Sequence, residues 1–227
     1  MATLEKSIAR KNIRFAVIAT DVVIFTILDN KLKTLLIPIS SAHFKKNAYG
    51  FPGGMILPEE TADDSVKRHM KAKAGIESPS YIEQLCAFSA IDRDPRGRVV
   101  SVAYFAIIPA KRAQSINRSA LWAEVRKLPP LAYDHEKIAG VALERLENKL
   151  KYTTIGRHFL PAFFTLTELQ HAHEIVLGQK LDKRNFRKKL LSLKFFKPTG
   201  KIKKGGRSRP AELYRFAQKS DTAIGAL

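Results

Sequence analysis

The stretch from Phe15 to Leu28 constrains this chain more than any other. It is rich in Val, Ile, Phe and Thr, side chains that fit a pleated, buried surface, and Asp21 interrupts it. A run broken by a carboxylate is too short for the ~20 apolar residues of a membrane helix. It also lacks the unbroken apolar region and cleavage site of a signal peptide. It therefore reads as a buried strand, and the Asp29-Asn30 turn signal brings Leu32 to Ile39 back beside it. The chain is expected to build a sheet and to work in the cytoplasm, away from membranes. Its single cysteine, Cys86, allows neither a disulfide framework nor a Cys-based zinc site and agrees with a reducing compartment.

Further elements follow from local patterns. Met1 to Arg14 reads as a basic helical lead-in, and Tyr49 to Gly54 as a loop, because glycine and proline crowd it. Thr61 to Ala74 reads as a helix with Thr61 and Asp64 as a capping box, Gly75 as its stop, and Ala62, Val66, Met70 and Ala74 as its buried stripe. Ser80 to Ala90 and Arg98 to Pro109 are expected strands, joined by the charged turn Asp92 to Gly97. A short segment from Trp122 to Leu128 precedes a second long helix, Asp134 to Lys149, with Ile138, Val141, Ala142 and Leu146 on one face. This order predicts an α/β (α+β) fold, an α/β/α sandwich with a mixed sheet, over residues 1–155.

Charge divides the chain. The net charge is +19, from 40 Lys+Arg against 21 Asp+Glu; residues 156–227 hold 16 basic and 5 acidic side chains, a net of +11 in less than half the length. Such a balance calls for a polyanion. The segment Lys149 to Pro161 reads as the junction. Beyond it, Thr167 to Leu177 is expected to be a helix capped by Thr167 and Gln170 and ended by Gly178; Asp182 then caps Lys183 to Leu193, with Phe186, Leu190 and Leu193 as the apolar face. Two strands, Lys194 to Thr199 and Glu212 to Phe216, bracket a Gly/Lys/Arg loop. Helix, turn, helix and basic hairpin is the order of a winged helix-turn-helix, here residues 156–227.

Arginine suits guanine and asparagine suits adenine by bidentate geometry, so Arg184, Asn185 and Lys188 are the expected base readers. Lys183, Arg187 and Lys189, with Thr167 and the loop cations Lys203, Lys204, Arg207 and Arg209, are expected on DNA phosphates. A solvated basic face is the competing reading.

Gly53-Gly54-Met55-Ile56-Leu57-Pro58-Glu59-Glu60, leading into a helix with Arg68 and Gly75, resembles the Nudix box. Counted from Gly54, the box places its first glutamate on Glu60, its arginine on Arg68 and its last apolar residue on Ile76. The resemblance implies a Nudix-like fold whose helix glutamates hold divalent metals. Here the three glutamate positions carry His69, Ala72 and Lys73. Magnesium prefers hard oxygen ligands, so no metal, cofactor or catalytic residue is assigned and hydrolysis is not expected. A metal set on Glu59, Asp63 or Asp64 competes, but Asp63 and Asp64 fit better as first-turn carboxylates facing the helix dipole. A diphosphate would instead meet Arg or Lys directly. The expected effector residues are Phe51, Gly53, Gly54, Glu60, Arg68, Lys73, Arg93, Arg96 and Arg98. The competing reading is that Arg93 to Arg98 solvate a hairpin and Phe51 is core.

Linked segments carry a fuller resemblance: Asp92 to Arg98 followed by Ser101-Val102-Ala103-Tyr104, Leu128 to His135, Leu150 to Thr153, Phe164 to Gln170, Leu181 to Arg187 and Gly205 to Phe216. Together with the two-part organisation they are similar to the Nudix-related transcriptional regulators of the NrtR family. That resemblance implies a homodimeric repressor of NAD-metabolism genes, bound to a palindromic operator and loosened by ADP-ribose or a related phosphorylated metabolite. Other regulators of this architecture respond to sugars, so fold alone does not name the ligand. The runner-up is a Nudix hydrolase of a nucleoside diphosphate derivative with an accessory winged helix.

Overall fold

The computed structural model describes residues 16–40, 43–44, 48–114, 119–192, 195–203, 210–218 and 221. The expected lead-in helix, Leu193 and the loop cations Lys204, Arg207 and Arg209 lie outside them.

Strand β1 (Val17–Leu28) is the centre of the sandwich. It pairs antiparallel with β2 (Lys31–Ile39) through a turn in which Asp29 and Asn30 take φ of 53° and 58°. Two left-handed residues make a hairpin whose twist matches its strands, a conformation Asn and Asp tolerate. The other edge of β1 runs parallel to β6 (Val99–Ile107). With β3 (Ala48–Gly50) and β5 (Tyr81–Phe88) the order is β3-β2-β1-β6-β5, while β4 (Gly53–Met55) pairs with β1 and β7 (Leu121–Glu124) with β2. The expected loop from Tyr49 to Gly54 thus contributes to two short strands. A Cβ on Gly53 would lie 2.2 Å from Asp21 Oδ1 and 2.3 Å from the Thr20 carbonyl, so the missing side chain lets β4 lie against β1.

Both faces of the sheet are covered. Val22, Ile24 and Leu35 meet Val66 of α1 (Ala62–His69) and Met70 of the turn that follows it. The capping box forms as expected: Thr61 Oγ1 accepts from the Asp64 amide (3.1 Å) and Asp64 accepts from the Thr61 amide (3.3 Å). The helix does not end uniformly, because Met70–Ala74 widens into a π turn before Gly75 at φ 70°. Short α2 (Ala110–Ala113) adds Ala113 to that face. On the opposite face Val23, Phe25 and Phe105 meet α3 (His135–Tyr152), which buries Ile138, Ala139, Ala142, Leu146 and Leu150. Val141, expected inward, sits half-buried at the flank of this stripe.

The expected junction from Lys149 to Pro161 is folded. Helix α3 continues to Tyr152, and a 3-10 turn, Ile155–Phe159, buries Ile155 and Phe159 in the sandwich core. Helix α4 (Leu166–Leu177) is capped by Thr165 and Glu168 rather than Thr167 and Gln170. Two overlapping boxes compete in the sequence; the charged Glu168 faces the positive helix end better than Gln170, and Thr167 falls inside the first turn. Val176 of α4 joins the sandwich core, whereas Leu166 and Leu169 pack with Phe164, Phe186 and Leu190 of the second unit. One helix therefore belongs to both cores. Helix α5 (Lys183–Ser192), β8 (Phe196–Lys203) and β9 (Ala211–Phe216) complete that unit, and Phe164 bridges to Tyr214 beside the hairpin. No helix among the described residues is long and apolar enough to cross a membrane.

Candidate functional site

A cavity of about 380 Å³ opens between β1, the β3–β4 segment, the π turn, the β5–β6 hairpin and the start of α3. That size suits a small molecule. Its floor holds Asp21, the carboxylate that breaks the apolar run of β1. Ser101 Oγ donates to Asp21 Oδ2 (2.6 Å), and His135 Nε2 lies 3.4 Å from Asp21 Oδ1. The Phe51 amide donates to His135 Nδ1 (2.9 Å), which leaves Nε2 as the nitrogen carrying hydrogen toward Asp21. Burial alone would raise the Asp21 carboxyl, but His135, Ser101 and the Arg93 charge outweigh it and hold it below the usual carboxylate range.

The sequence-expected cations separate once their partners are seen. Arg93 is buried and grips Asp134 with two hydrogen bonds (3.0 and 2.6 Å), with Asp21 3.6 Å away. Arg96 holds Asp94 through Nε (3.0 Å) and Nη2 (2.7 Å), and its guanidinium lies 5.3 Å from the Tyr133 ring centre. Arg98 is exposed and donates to the Ser89 and Ala90 carbonyls (2.8 and 3.0 Å). Lys73 reaches in from the π turn, donates to the Gly53 carbonyl and is half-buried. Burial pushes its ammonium down, an effect that Asp21 partly offsets.

Glu60 and Arg68, expected at the effector, do not line the cavity. They pair with each other, and Arg68 Nη2 also donates to the Met55 carbonyl (3.0 Å), bracing the loop into α1. The Arg68 hydrogen bond pulls the Glu60 carboxyl down to about 2. Phe51, Gly53 and Gly54 do line the cavity, although Phe51 is fully buried and stacks on His135 rather than presenting an open face.

The metal site implied by the Nudix box does not fit these residues. His69 is buried beneath Gly54, Ala72 carries no ligand atom and Lys73 is a cation. Glu60 is spent on Arg68, Asp63 accepts from the Tyr104 hydroxyl (2.7 Å) and Asp64 caps its helix. Among the described residues no three His, Cys, Asp or Glu side chains group to hold a metal ion.

At the other end of the chain, α5 exposes Lys183, Arg184, Asn185 and Lys188 together. The Asp182 carboxylate accepts from the Asn185 amide (2.7 Å), capping the helix as expected. Arg187 and Lys189 are only half exposed, and Arg187 donates to Thr167 Oγ1 (2.8 Å), tying α5 to α4. Lys203, on the wing, is paired with Glu168 at 2.5 Å. Its charge is partly compensated, so its pull on a phosphate is weaker than the sequence suggests.

Both parts of the chain match known proteins. A model of the NrtR DNA-binding winged helix domain matches residues 156–216. The ADPR responsive transcriptional repressor NtrR of Acinetobacter baylyi is 38% identical over 204 residues, which cover 87% of this chain and 80% of that protein. The chain belongs to the NrtR family. The crystal structure of Shewanella oneidensis NrtR complexed with a 27mer DNA superposes on this NrtR-family chain with a TM-score of 0.77 at 34% identity, covering 88% of this chain and 93% of that one. The Nudix domain of the same Shewanella protein, complexed with ADP ribose, matches with a TM-score of 0.53 at 31% identity over 64% of this chain and 97% of that one. An ADP-ribose pyrophosphatase of Methanocaldococcus jannaschii is 34% identical over 114 residues, 49% of this chain and 66% of that protein.

In this NrtR-family chain, sequence reasoning missed Asp21, Asp94, Tyr133 and His135 as cavity residues. Asp21 carried a signal, an acid inside an otherwise apolar strand. Tyr133 carried none of that kind: its left-handed backbone (φ 58°) and its edge-to-face contact with Phe44 (4.6 Å between ring centres) arise only on folding.

Proposed function

We propose that this NrtR-family protein is a DNA-binding transcriptional repressor of NAD-related metabolism, and that its cavity senses ADP-ribose or a similar phosphorylated metabolite without hydrolysing it. What supports the reading is that one chain joins a cavity lined by four cations and two carboxylates to an exposed basic helix, and that its relatives are described as an ADPR responsive transcriptional repressor and as a complex with DNA. The protein acts as a homodimer on a palindromic operator, its α5 helices in major grooves about one turn, ~34 Å, apart. Tyr133 and His135 border the cavity at the start of α3, whose far end leads through Ile155–Phe159 toward α4. A ligand that favours another setting of α3 shifts the population of helix arrangements and loosens the grip on DNA.

The test is fluorescence anisotropy of the full chain on labelled promoter duplexes, with and without ADP-ribose, alongside an assay of AMP release in Mg²⁺ or Mn²⁺. Sequence-selective binding that ADP-ribose reverses, without AMP, is expected. Appreciable AMP release would establish the hydrolase reading instead, and equal affinity for every duplex would remove the operator reading. Replacing Arg184 and Asn185 together by alanine should erode preference for the operator by about tenfold or more while leaving binding to random DNA less affected.

A further inference from the structure

Lys73 stands at the last of the three box positions that would hold metal in a Nudix hydrolase, so the substitution replaces an acceptor for a dication with a positive charge. Its surroundings make that charge available. Of the four cations lining the cavity, Arg93 is engaged by Asp134 and Asp21, and Arg96 by Asp94. Arg98 is exposed and turned toward hairpin carbonyls. Lys73 is half-buried and is not in any of the close ion pairs formed among the described residues, although the Asp21 charge acts on it from farther off. One of its three ammonium hydrogens goes to the Gly53 carbonyl, leaving two donors. A partly desolvated cation that faces a cavity and is only partly compensated, by Asp21 at a distance, recovers its lost solvation by binding an anion.

We infer that Lys73 takes the place of the metal and binds the effector's diphosphate directly, so that effector affinity is independent of divalent cations. This rests on the reading of the cavity as the effector site. A phosphate oxygen on Lys73 forms a charge-assisted hydrogen bond, and a divalent ion at the same place would meet the ammonium and the neighbouring Arg96. The cavity carboxylates are already engaged, Asp21 by Ser101, His135 and Arg93, and Asp94 by Arg96.

Isothermal titration of the full chain with ADP-ribose in EDTA, and again in Mg²⁺ or Mn²⁺, tests this. The two dissociation constants are expected to agree. Lys73→Met should weaken ADP-ribose and ADP by about tenfold or more in both buffers, whereas Lys73→Arg retains most of the affinity. Wild-type binding that needs the metal would overturn the inference, as would Lys73→Met protein that binds ADP-ribose as tightly as wild type. The metal comparison uses unaltered protein, so it decides even if Lys73→Met fails to fold. Absence of ADP-ribose binding in every buffer would overturn the effector reading itself.

Discussion

Replacing Arg93 by methionine distinguishes a structural pillar from a ligand contact. The Arg93 side chain is 3% exposed, its partners Asp134 and Asp21 are 8% and 10% exposed, and two hydrogen bonds join it to Asp134. Methionine fills much of the same space but leaves both carboxylates without their cation. Removing one partner of a buried pair costs about 3–5 kcal/mol, because the remaining charge keeps its desolvation penalty. Asp21 retains Ser101 and His135, which places the expected loss near the lower end, about 3 kcal/mol. For a chain of this size that corresponds to a fall of about 6–12 °C in melting temperature. Urea denaturation followed by circular dichroism measures it, and adding Asp134→Asn to Arg93→Met should recover part of the loss by removing one stranded charge. A loss below about 1 kcal/mol, combined with a tenfold weaker effector, would refute the reasoning and make Arg93 a ligand contact.

Other perturbations probe separate parts of the molecule. Gly53→Ala puts a methyl group 2.2 Å from Asp21 Oδ1 and 2.3 Å from the Thr20 carbonyl, so β4 must part from β1; about 1–3 kcal/mol of stability and the ADP-ribose-induced thermal shift should both be lost. Buried His173, its Nδ1 bonded to the Leu169 carbonyl (2.8 Å), has its pKa pushed down by desolvation to about 4. The unfolded chain therefore takes up the proton first, and stability present above about pH 6.5 is lost as pH falls toward 4. Urea curves at pH 7 and pH 5 should differ by about 2 kcal/mol from this group, and His173→Gln should remove that share. Arg126 donates to Glu147 of α3 (2.6 Å) and to the Val176 carbonyl at the end of α4 (2.8 Å), joining the two units. Arg126→Ala should leave ADP-ribose affinity intact yet blunt effector-induced release from DNA, read by anisotropy; an undiminished response would show that coupling runs elsewhere.

Much of the fold was legible because its signals are satisfied within a few residues. Asp29-Asn30 makes its turn, Thr61 finds Asp64, Asp182 finds the Asn185 amide, and the glycines at 75 and 178 adopt left-handed backbone. The cap of α4 was misplaced by two residues because Thr165-Glu168 and Thr167-Gln170 satisfy the same local rule, and only the backbone entering the helix chooses between them. The winged helix match begins inside the segment from Lys149 to Pro161, but nothing in that segment's composition shows that Ile155 and Phe159 have a core to enter.

Residue types and spacings by themselves determined a mixed sandwich followed by a helix and wing and the list of cations near the glycine loop, and the resemblance to the Nudix box marked the missing glutamates. Only the tertiary structure decided what those cations can do. Arg93, Glu60 and Arg68 are consumed by partners, and Lys73 is left facing the cavity. Asp21, Arg93, Asp134 and His135 come together from separate segments of the chain. A charge becomes available for a ligand, or is spent on the fold, according to the opposite charges placed within a few ångströms of it, and that distance is set by folding rather than by position along the chain.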